Sequence, residues 1–377
     1  MVPTIFVSDA VGHERLDIAQ HGSPEPASGW KALSLLYQGS FAACGFRLER
    51  VLRPEIYQTD RARALLGVRT GDWHLAVKPM EHLRPFHGVP NAFVCDWPFP
   101  ELSSEVLGGS PFFDQVRLLR QADVVLCPTS FTTDTLRRAG VERAVTLPPH
   151  IVAHAGFAAG TGPDGAERRF LCVVEAASLP RQLGPAIEGF TRAASRRGGL
   201  HLLVRLRGGG NEDVAALRRK AVQLVDELGS APAVTVESET GAGAEEGART
   251  HFFLSAHAAP GLHVPLVEAM AAGLVPVATL TAGTASFLPP EAAVPVEARA
   301  DTLDGQGEPI GRFMPLTSNP PTAEAVKNAV LAAAALDEAT RARIAALARD
   351  TAERRFGLAA FKEGLACLGA MLPGVQR

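Results

Sequence analysis

The stretch that most constrains the fold spans residues 252–278. It has the pattern of a strand, a loop, a helix, a tight turn and a second strand. Phe252–Ser255 is short and apolar, which is typical of a buried strand. Leu266 and Met270 recur at helical spacing, and Gly273 stands where a helix commonly ends in a left-handed residue. A second apolar run follows at once, so this stretch predicts an α/β sheet.

One carboxylate lies inside this unit. Glu268 falls outside the apolar face of the helix, near its first turn. Gly261, ahead of the helix, allows a sharp turn or the close approach of a ligand. Ligands of α/β sheets bind beyond the carboxyl ends of strands, near helix N-termini. The sequence therefore predicts a ligand site at Gly261, Leu262, His263 and Glu268.

Length and composition limit the class of protein. The chain has 377 residues, of which 46% are hydrophobic and 20% charged, and this predicts a globular protein of about two domains. A formal net charge of −3 gives no reason to expect nucleic-acid binding. No apolar run is long enough to span a membrane, and no signal peptide is evident. The five scattered cysteines favour a reduced cytosolic setting and lack metal-ligand spacing, so we expect a cytoplasmic protein without a metal.

Strand-like apolar runs in the first half alternate with polar loops. Asp96 directly follows one run, where the side chains of a parallel sheet point into the ligand crevice; a loop cap beside Trp97 is the alternative. Residues 78–87 follow another run and are rich in ionisable groups and proline. The acceptor-side candidates there are phosphate-neutralising or proton-carrying groups, namely Lys78, Arg84 and His82. An ordinary surface loop is the alternative.

The second half repeats the α/β pattern after a segment rich in Gly and Ala, which predicts a linker. A helix is predicted over 184–196. Gly208 follows a strand-like run and permits close approach of a ligand, with a tight turn as the alternative. Residues 297–321 have no clear period and are predicted to be loop. Two helical runs end the chain, the second with a break near Gly357.

The run Pro265-Leu266-Val267-Glu268-Ala269-Met270-Ala271, with Gly273 after it, resembles the nucleotide-sugar signature of retaining glycosyltransferases of the GT-B fold, family 4 type. Residues 122–149 resemble the segment that closes the N-terminal domain of that family. The family signature also contains an earlier Glu, and this chain has Pro260 in its place.

The resemblance implies an α/β fold of two Rossmann-like domains that face a cleft, with a C-terminal helix crossing back to the N-terminal domain. It assigns residues 1–155 to an acceptor domain, 156–168 to a linker, 169–350 to a nucleotide-sugar domain and 351–377 to the crossing helix.

The resemblance also implies roles for individual residues. The second Glu of the signature holds the ribose hydroxyls of the donor, and Glu268 matches it, while the missing first Glu contacts the transferred sugar. Arg181 matches a basic position aimed at the donor diphosphate, with a solvated helix-start residue as the alternative, and it joins Asp96 as a catalytic candidate. The remaining donor-binding candidates lie near the phosphates, with a capped surface loop or a Ser/Thr turn as alternatives: Gly29, Gly283 and Thr284.

We therefore expect a glycosyltransferase that moves a sugar from a nucleotide-sugar donor to a glycan or lipid-linked acceptor with retention, as in polysaccharide biosynthesis. No metal or other cofactor and no nucleic-acid partner is expected. A non-catalytic relative, acting as a glycan- or nucleotide-binding or partner subunit, is the main alternative. An epimerase or hydrolase of the same fold is disfavoured because no histidine or carboxylate cluster is found. Association with the inner membrane face, with a second copy or with a partner transferase stays open.

Overall fold

The computed structural model describes residues 3–9, 28–103, 114–153, 167–175, 179–207, 211–228, 233–238, 250–303 and 315–369. The chain divides into two compact units. Unit 1 comprises Met1–His150, Leu303–Leu316 and Phe356–Arg377, and unit 2 comprises Ile151–Thr302 and Thr317–Arg355.

Unit 1 contains a six-stranded parallel sheet in the order β2-β1-β3-β4-β5-β6. Its strands are β1 Thr4–Asp9, β2 Arg47–Arg50, β3 Trp73–Val77, β4 Asn91–Val94, β5 Val124–Cys127 and β6 Ala144–Thr146. Its first four α-helices are α1 Ser28–Ala43, α2 Asp60–Leu65, α3 Gln115–Leu119 and α4 Ser130–Arg138. The strands β1, β3, β4 and β5 are buried along their whole length, which is why they are nearly continuous apolar runs.

Unit 2 contains a second six-stranded parallel sheet in the order β12-β11-β10-β7-β8-β9. Its strands are β7 Arg168–Glu175, β8 Leu200–Arg207, β9 Val234–Ser238, β10 Phe252–Ser255, β11 Val275–Thr279 and β12 Val294–Val296. The α-helices are α5 Leu179–Arg196, α6 Asn211–Glu227, α7 Val264–Ala272, α8 Ala282–Phe287, α9 Ala323–Ala335 and α10 Glu338–Phe356.

The strand order of unit 2 is that of a Rossmann sheet. The chain builds outward from β7 to β9, then returns to place β10 on the other side of β7 and builds outward to β12. The order therefore reverses between β7 and β10. Ligands of open α/β sheets bind beyond the carboxyl ends of the strands at such a reversal. The predicted α/β fold of two Rossmann-like halves is confirmed.

Two local predictions about helix ends are also confirmed. Gly273 follows α7 with φ of 84°, in the left-handed region that a residue without a Cβ adopts without strain. Gly357 separates α10 from the last helix, α11 Leu358–Cys367.

Other local predictions are wrong. Residues 297–321 are not wholly loop, because β13 Asp301–Leu303 and β14 Leu316–Ser318 pair in a two-stranded sheet. These strands have three residues each, too few to show a period. Helix α5 begins at Leu179 and not at residue 184, because Pro180 occupies its first turn, where proline is tolerated, and Pro185 lies inside the helix.

Helix α11 packs on α1 within unit 1. The ring of Phe361 meets the ring of Phe41 edge-on, with centroids 5.1 Å apart and planes at 79°. Both side chains are fully buried. On the same helix α1, the Tyr37 hydroxyl donates to the carbonyl oxygen of Leu147 at 2.6 Å, so α1 is tied to the segment after β6 as well. No helix among the described residues is long and apolar enough to cross a membrane.

We predict that Phe361→Ala lowers the free energy of unfolding by about 3–5 kcal/mol, because it removes a buried aromatic ring and leaves a cavity against Phe41. Urea denaturation measures the change. The control is Lys362→Ala, an exposed neighbour on the same helix, which should change stability by less than about 0.5 kcal/mol. Equal effects of the two variants would contradict this account of how α11 is anchored.

Candidate functional site

The carboxyl edge of the unit 2 sheet holds the stretch predicted to bind a ligand. Strand β10 ends at Ser255, and residues 256–263 lead into α7. His263 is the N-cap residue of α7, although its side chain makes no capping hydrogen bond, and a proline lies in the first turn of the helix. The N-terminus of this nine-residue helix therefore lies at the edge where the strand order reverses.

Glu268 lies in the middle of α7 and is buried, which corrects the prediction that it falls outside the buried face. The helix is apolar nearly all round, and seven consecutive residues from Val264 to Met270 are buried. Such a helix belongs to a core. Glu268 is tolerated there because the Nη1 atom of Arg207 donates to its Oε2 atom at 2.7 Å. The two side chains are only 13% and 11% exposed.

Arg207 is a site residue that the sequence analysis did not identify. It is the last residue of β8, directly after the apolar run of that strand and before the glycine-rich segment. A charged residue at the carboxyl end of a parallel strand is the signal that marks it. In the sheet order, β7 lies between β8 and β10, so the ion pair joins elements that the sequence separates by about sixty residues.

Two histidines lie close together on the loop that precedes Glu268. This corrects the expectation that the chain has no histidine cluster. The Oγ atom of Ser255 lies 3.1 Å from Nδ1 of His257 and 3.2 Å from Nδ1 of His263. The centroids of the two imidazole rings are 3.8 Å apart. Burial lowers the pKa of His257 to about 4. Burial, and then the neighbouring His257 and Arg207, hold the pKa of His263 well below its ordinary value. Both rings are therefore neutral at neutral pH.

The loop before α7 is fixed against the start of α8. The backbone N–H of Gly283 donates to the carbonyl oxygen of Pro260 at 2.9 Å. A Cβ atom on Gly283 would lie 2.3 Å from the carbonyl oxygen of Gly261, so only glycine permits this approach. The predicted donor-binding residues Gly261 and Gly283 are thus in contact, and the Gly283 amide bonds the loop. Leu262 and Thr284 are buried in the same region.

The first residue of α8 has an unusual backbone. Ala282 has φ of 46°, and it is the one non-glycine residue with positive φ in the described parts of the chain. The left-handed region costs an L-residue about 1–2 kcal/mol. Next to it, the Oγ1 atom of Thr281 is buried and has no hydrogen-bond partner among the described residues. Strain and an unpaired polar atom at one position are typical of functional sites.

The acceptor-side candidates follow two neighbouring strands of unit 1. Lys78 comes directly after β3 and is buried, and Asp96 is half-buried two residues after β4. His82 ends a short 3₁₀ helix, with half of its side chain exposed. Arg84 donates to the carbonyl oxygens of Glu81 and Leu83 at 2.9 and 2.7 Å, and so braces its own loop.

For three of the predicted site residues, the structure gives no contact to the rest of the candidate site. Gly29 is half-buried in the first turn of α1. Arg181 lies in the first turn of α5, but its side chain is outside the described part of the structure. Gly208 is itself outside the described residues. Within those residues, no group of three histidine, cysteine, aspartate or glutamate side chains has the geometry of a metal site.

We predict that Ala282→Gly raises the free energy of unfolding by about 1 kcal/mol, because glycine adopts a positive φ without strain. Urea denaturation again measures it. Ala285→Gly is the matched control, at an exposed helical position of α8, and should lower stability by about 0.5–1 kcal/mol. A loss of stability in both variants would contradict the strain assigned to Ala282.

We also predict that acid destabilises the protein partly through His257. An unfolded histidine has a pKa near 6.5 and folded His257 about 4, so the unfolded state binds more protons between these values. This contribution to stability is complete above about pH 6.5 and is lost as the pH falls towards about 4. Urea denaturation from pH 7 to pH 4.5 should show a smaller loss for His257→Gln than for the wild type. An unchanged loss would contradict the assignment.

No protein-family model matches the sequence, and comparison with curated proteins gives no match. Solved structures do match. HepE from Anabaena, in complex with UDP-glucose, has a TM-score of 0.62 at 14% identity, over 98% of this chain and 100% of its own. Sucrose-phosphate synthase from Thermosynechococcus elongatus has a TM-score of 0.61 at 15% identity, over 99% of each chain.

The Staphylococcus aureus protein TarM, in complex with fondaparinux, α-GlcNAc-glycerol and UDP, has a TM-score of 0.53 at 12% identity. This chain spans 55% of the TarM chain. At such identities the likeness concerns the fold. The two Rossmann-like units match those of GT-B glycosyltransferases, and the chain therefore has the GT-B fold.

Proposed function

We propose that this protein is a glycosyltransferase and that unit 2 binds its nucleotide-sugar donor. The observation that carries the proposal is the buried carboxylate of Glu268, which α7 presents beside the strand-order reversal of a Rossmann sheet. Its side chain does not lie on an outer surface. A carboxylate that is kept in such a place at the expense of desolvation indicates a binding role.

The chemistry of Glu268 suits a ribose. A carboxylate accepts several hydrogen bonds at once, so two neighbouring hydroxyls can donate to it while Arg207 also does. The Arg207 contact fixes the position of the carboxylate. The resemblance of residues 265–273 to the family signature assigns the same role to this residue. The solved complexes of HepE with UDP-glucose and with UDP are consistent with a uridine donor.

The rest of unit 2 suits a diphosphate leaving group. The N-terminus of α7 carries the positive end of a helix dipole, and Arg207 supplies a fixed cation nearby. We assign Arg181 to the diphosphate on the resemblance alone. Stabilising the charge that develops on the departing diphosphate is the main physical requirement of sugar transfer, and such a site needs no metal. We propose transfer with retention because residues 265–273 resemble the signature of retaining enzymes.

The acceptor belongs to unit 1 in this proposal, with residues 1–155 as its domain, 156–168 as the linker and 351–377 returning to it. Lys78 and Asp96 follow adjacent strands, where a carboxylate and a cation can orient hydroxyl or phosphate groups. We propose a glycan or lipid-linked acceptor. A cytoplasmic protein that works at the inner membrane face, alone or with a partner transferase, fits such an acceptor.

A non-catalytic binding subunit is the second candidate. Pro260 stands where the family signature has a sugar-contacting Glu, and its carbonyl oxygen is bonded to Gly283. A chain that binds a nucleotide without moving a sugar would have this feature. Product analysis separates the two candidates.

We predict that Glu268→Gln weakens nucleoside diphosphate binding by about 10- to 150-fold, the range for a hydrogen bond to a charged group. Isothermal titration calorimetry with UDP, GDP and ADP measures the effect, and thermal unfolding checks the fold of each variant. Glu237→Gln is the matched control, because Glu237 pairs with Arg205 at 2.8 Å on the β9 side of the same sheet. It should leave nucleotide affinity unchanged.

Incubation with labelled UDP-glucose and a panel of glycan acceptors then shows whether the sugar is transferred to an acceptor, released by hydrolysis of the donor, or epimerised. Binding that Glu268→Gln weakens to this extent, together with transfer, supports the enzyme. Binding without turnover of any donor supports the non-catalytic subunit. If none of the three diphosphates binds the wild type, the proposed site is wrong.

A further inference from the structure

His263 is one half of an incomplete hydrogen-bonding arrangement. The hydroxyl of Ser255 has one proton and lies within hydrogen-bond distance of both Nδ1 atoms, those of His257 and His263. It can donate to only one of them, so the other Nδ1 must carry a proton and donate to the hydroxyl oxygen. The trio therefore fixes the ring of His263 through its Nδ1 atom and leaves its Nε2 atom to face elsewhere.

The Nε2 atom of His263 is buried and has no hydrogen-bond partner among the described residues. The whole residue is only 7% exposed. Buried polar groups are nearly always paired, and leaving one unpaired destabilises the folded state. A ligand that supplies the missing partner removes this penalty. The position is at the N-cap of α7, five residues before Glu268 on the same helix.

The chemistry of the missing partner follows from the state of the ring. His263 is neutral, since burial, His257 and Arg207 all disfavour its protonated form. Its Nε2 atom is a donor in one tautomer and an acceptor in the other. A phosphate oxygen only accepts, and so pairs with one tautomer, whereas a hydroxyl pairs with either. The Oγ1 atom of Thr281, buried and unpaired on the neighbouring loop, also matches a hydroxyl.

We propose that His263 hydrogen-bonds a hydroxyl of the transferred sugar through Nε2, and that Ser255 and His257 position its ring. This inference rests on the proposed function. It gives unit 2 the polar contact to the sugar that Pro260, which has no side-chain polar atom, cannot make. The loop holds His263 in place because the Pro260 carbonyl is bonded to Gly283.

The decisive experiment compares each nucleoside diphosphate with its sugar conjugate. UDP, GDP and ADP are titrated into the full chain alongside UDP-glucose, UDP-N-acetylglucosamine, GDP-mannose and ADP-glucose. For the donor that binds, His263→Ala should weaken binding by about three- to tenfold, the effect of one neutral hydrogen bond. Binding of the parent diphosphate should change by less than about twofold, because the diphosphate lacks the sugar hydroxyls.

His251→Gln is the matched control. His251 immediately precedes β10, at the opposite end of the strand from Ser255, and it is as buried as His263. Its Nδ1 atom accepts from the backbone N–H of Arg169. This variant should leave the affinities for donor and diphosphate unchanged. Thermal unfolding identifies any variant that fails to fold, and His263→Gln, which keeps a polar nitrogen on the side chain, serves in that case and should recover part of the donor affinity.

A spectroscopic measurement tests the contact without relying on affinity. The ¹⁵N chemical shifts of the imidazole nitrogens report tautomer and hydrogen bonding, and the His263→Gln spectrum assigns those of His263. Adding the sugar donor should shift the Nε2 resonance of His263, and adding the parent diphosphate should not. Ser255→Ala should alter the tautomer shifts and weaken donor binding, while Ser255→Thr, which keeps the hydroxyl, should restore both.

The outcomes separate this inference from the proposed function. If no diphosphate binds the wild type, the proposed function is overturned and this inference with it. If a diphosphate binds through Glu268 but His263→Ala weakens it and its donor equally, the sugar contact is refuted while the nucleotide site stands. An Nε2 resonance that the diphosphate shifts as much as the donor does would place His263 at the phosphates instead, and would also refute the proposal.

Discussion

The ion pair between Arg207 and Glu268 is the interaction on which the candidate site depends. It takes two charges out of water, which costs several kcal/mol for each ion unless the partners are well matched, and here the two atoms lie 2.7 Å apart. The pair joins the end of β8 to the middle of α7 and so crosses the end of β7. It therefore holds the loops on both sides of the strand-order reversal in one geometry.

Two buried histidines show how hydrogen bonding in the candidate site differs from that in the core. His74 in unit 1 has both ring nitrogens engaged, Nδ1 by Asn91 at 2.9 Å and Nε2 by Ser8 at 2.8 Å. That arrangement is a structural network between three strands. His263 has a partner on one nitrogen and none on the other among the described residues. An unpaired buried group lowers stability. The arrangement of His263 is therefore expected where a ligand supplies the hydrogen-bond partner of Nε2.

The carboxyl edge of unit 2 combines several such costs. The strained backbone of Ala282, the unpaired hydroxyl of Thr281 and the carboxylate of Glu268 all lie on the elements that follow β10 and β11. The well-packed strands beneath them supply the stability that offsets these costs. In these strands the rings of Phe170 and Phe252 stack with their centroids 4.7 Å apart. A rigid sheet with polar, strained loops at one edge is the usual division between scaffold and binding surface in α/β proteins.

The sequence by itself determined the class of fold and the position of helix α7. Apolar runs, the helical spacing of Leu266 and Met270, and the glycines at 273 and 357 act locally, so neighbouring residues suffice to read them. Short strands such as β12 to β14 were missed because three residues show no period. Tertiary structure alone decided that Arg207 neutralises Glu268 and that Ser255 holds two histidines. Those contacts arise because parallel strands bring their carboxyl ends to one edge of the sheet. Local residue patterns predict that the strands exist, but they do not predict the order of the strands in the sheet.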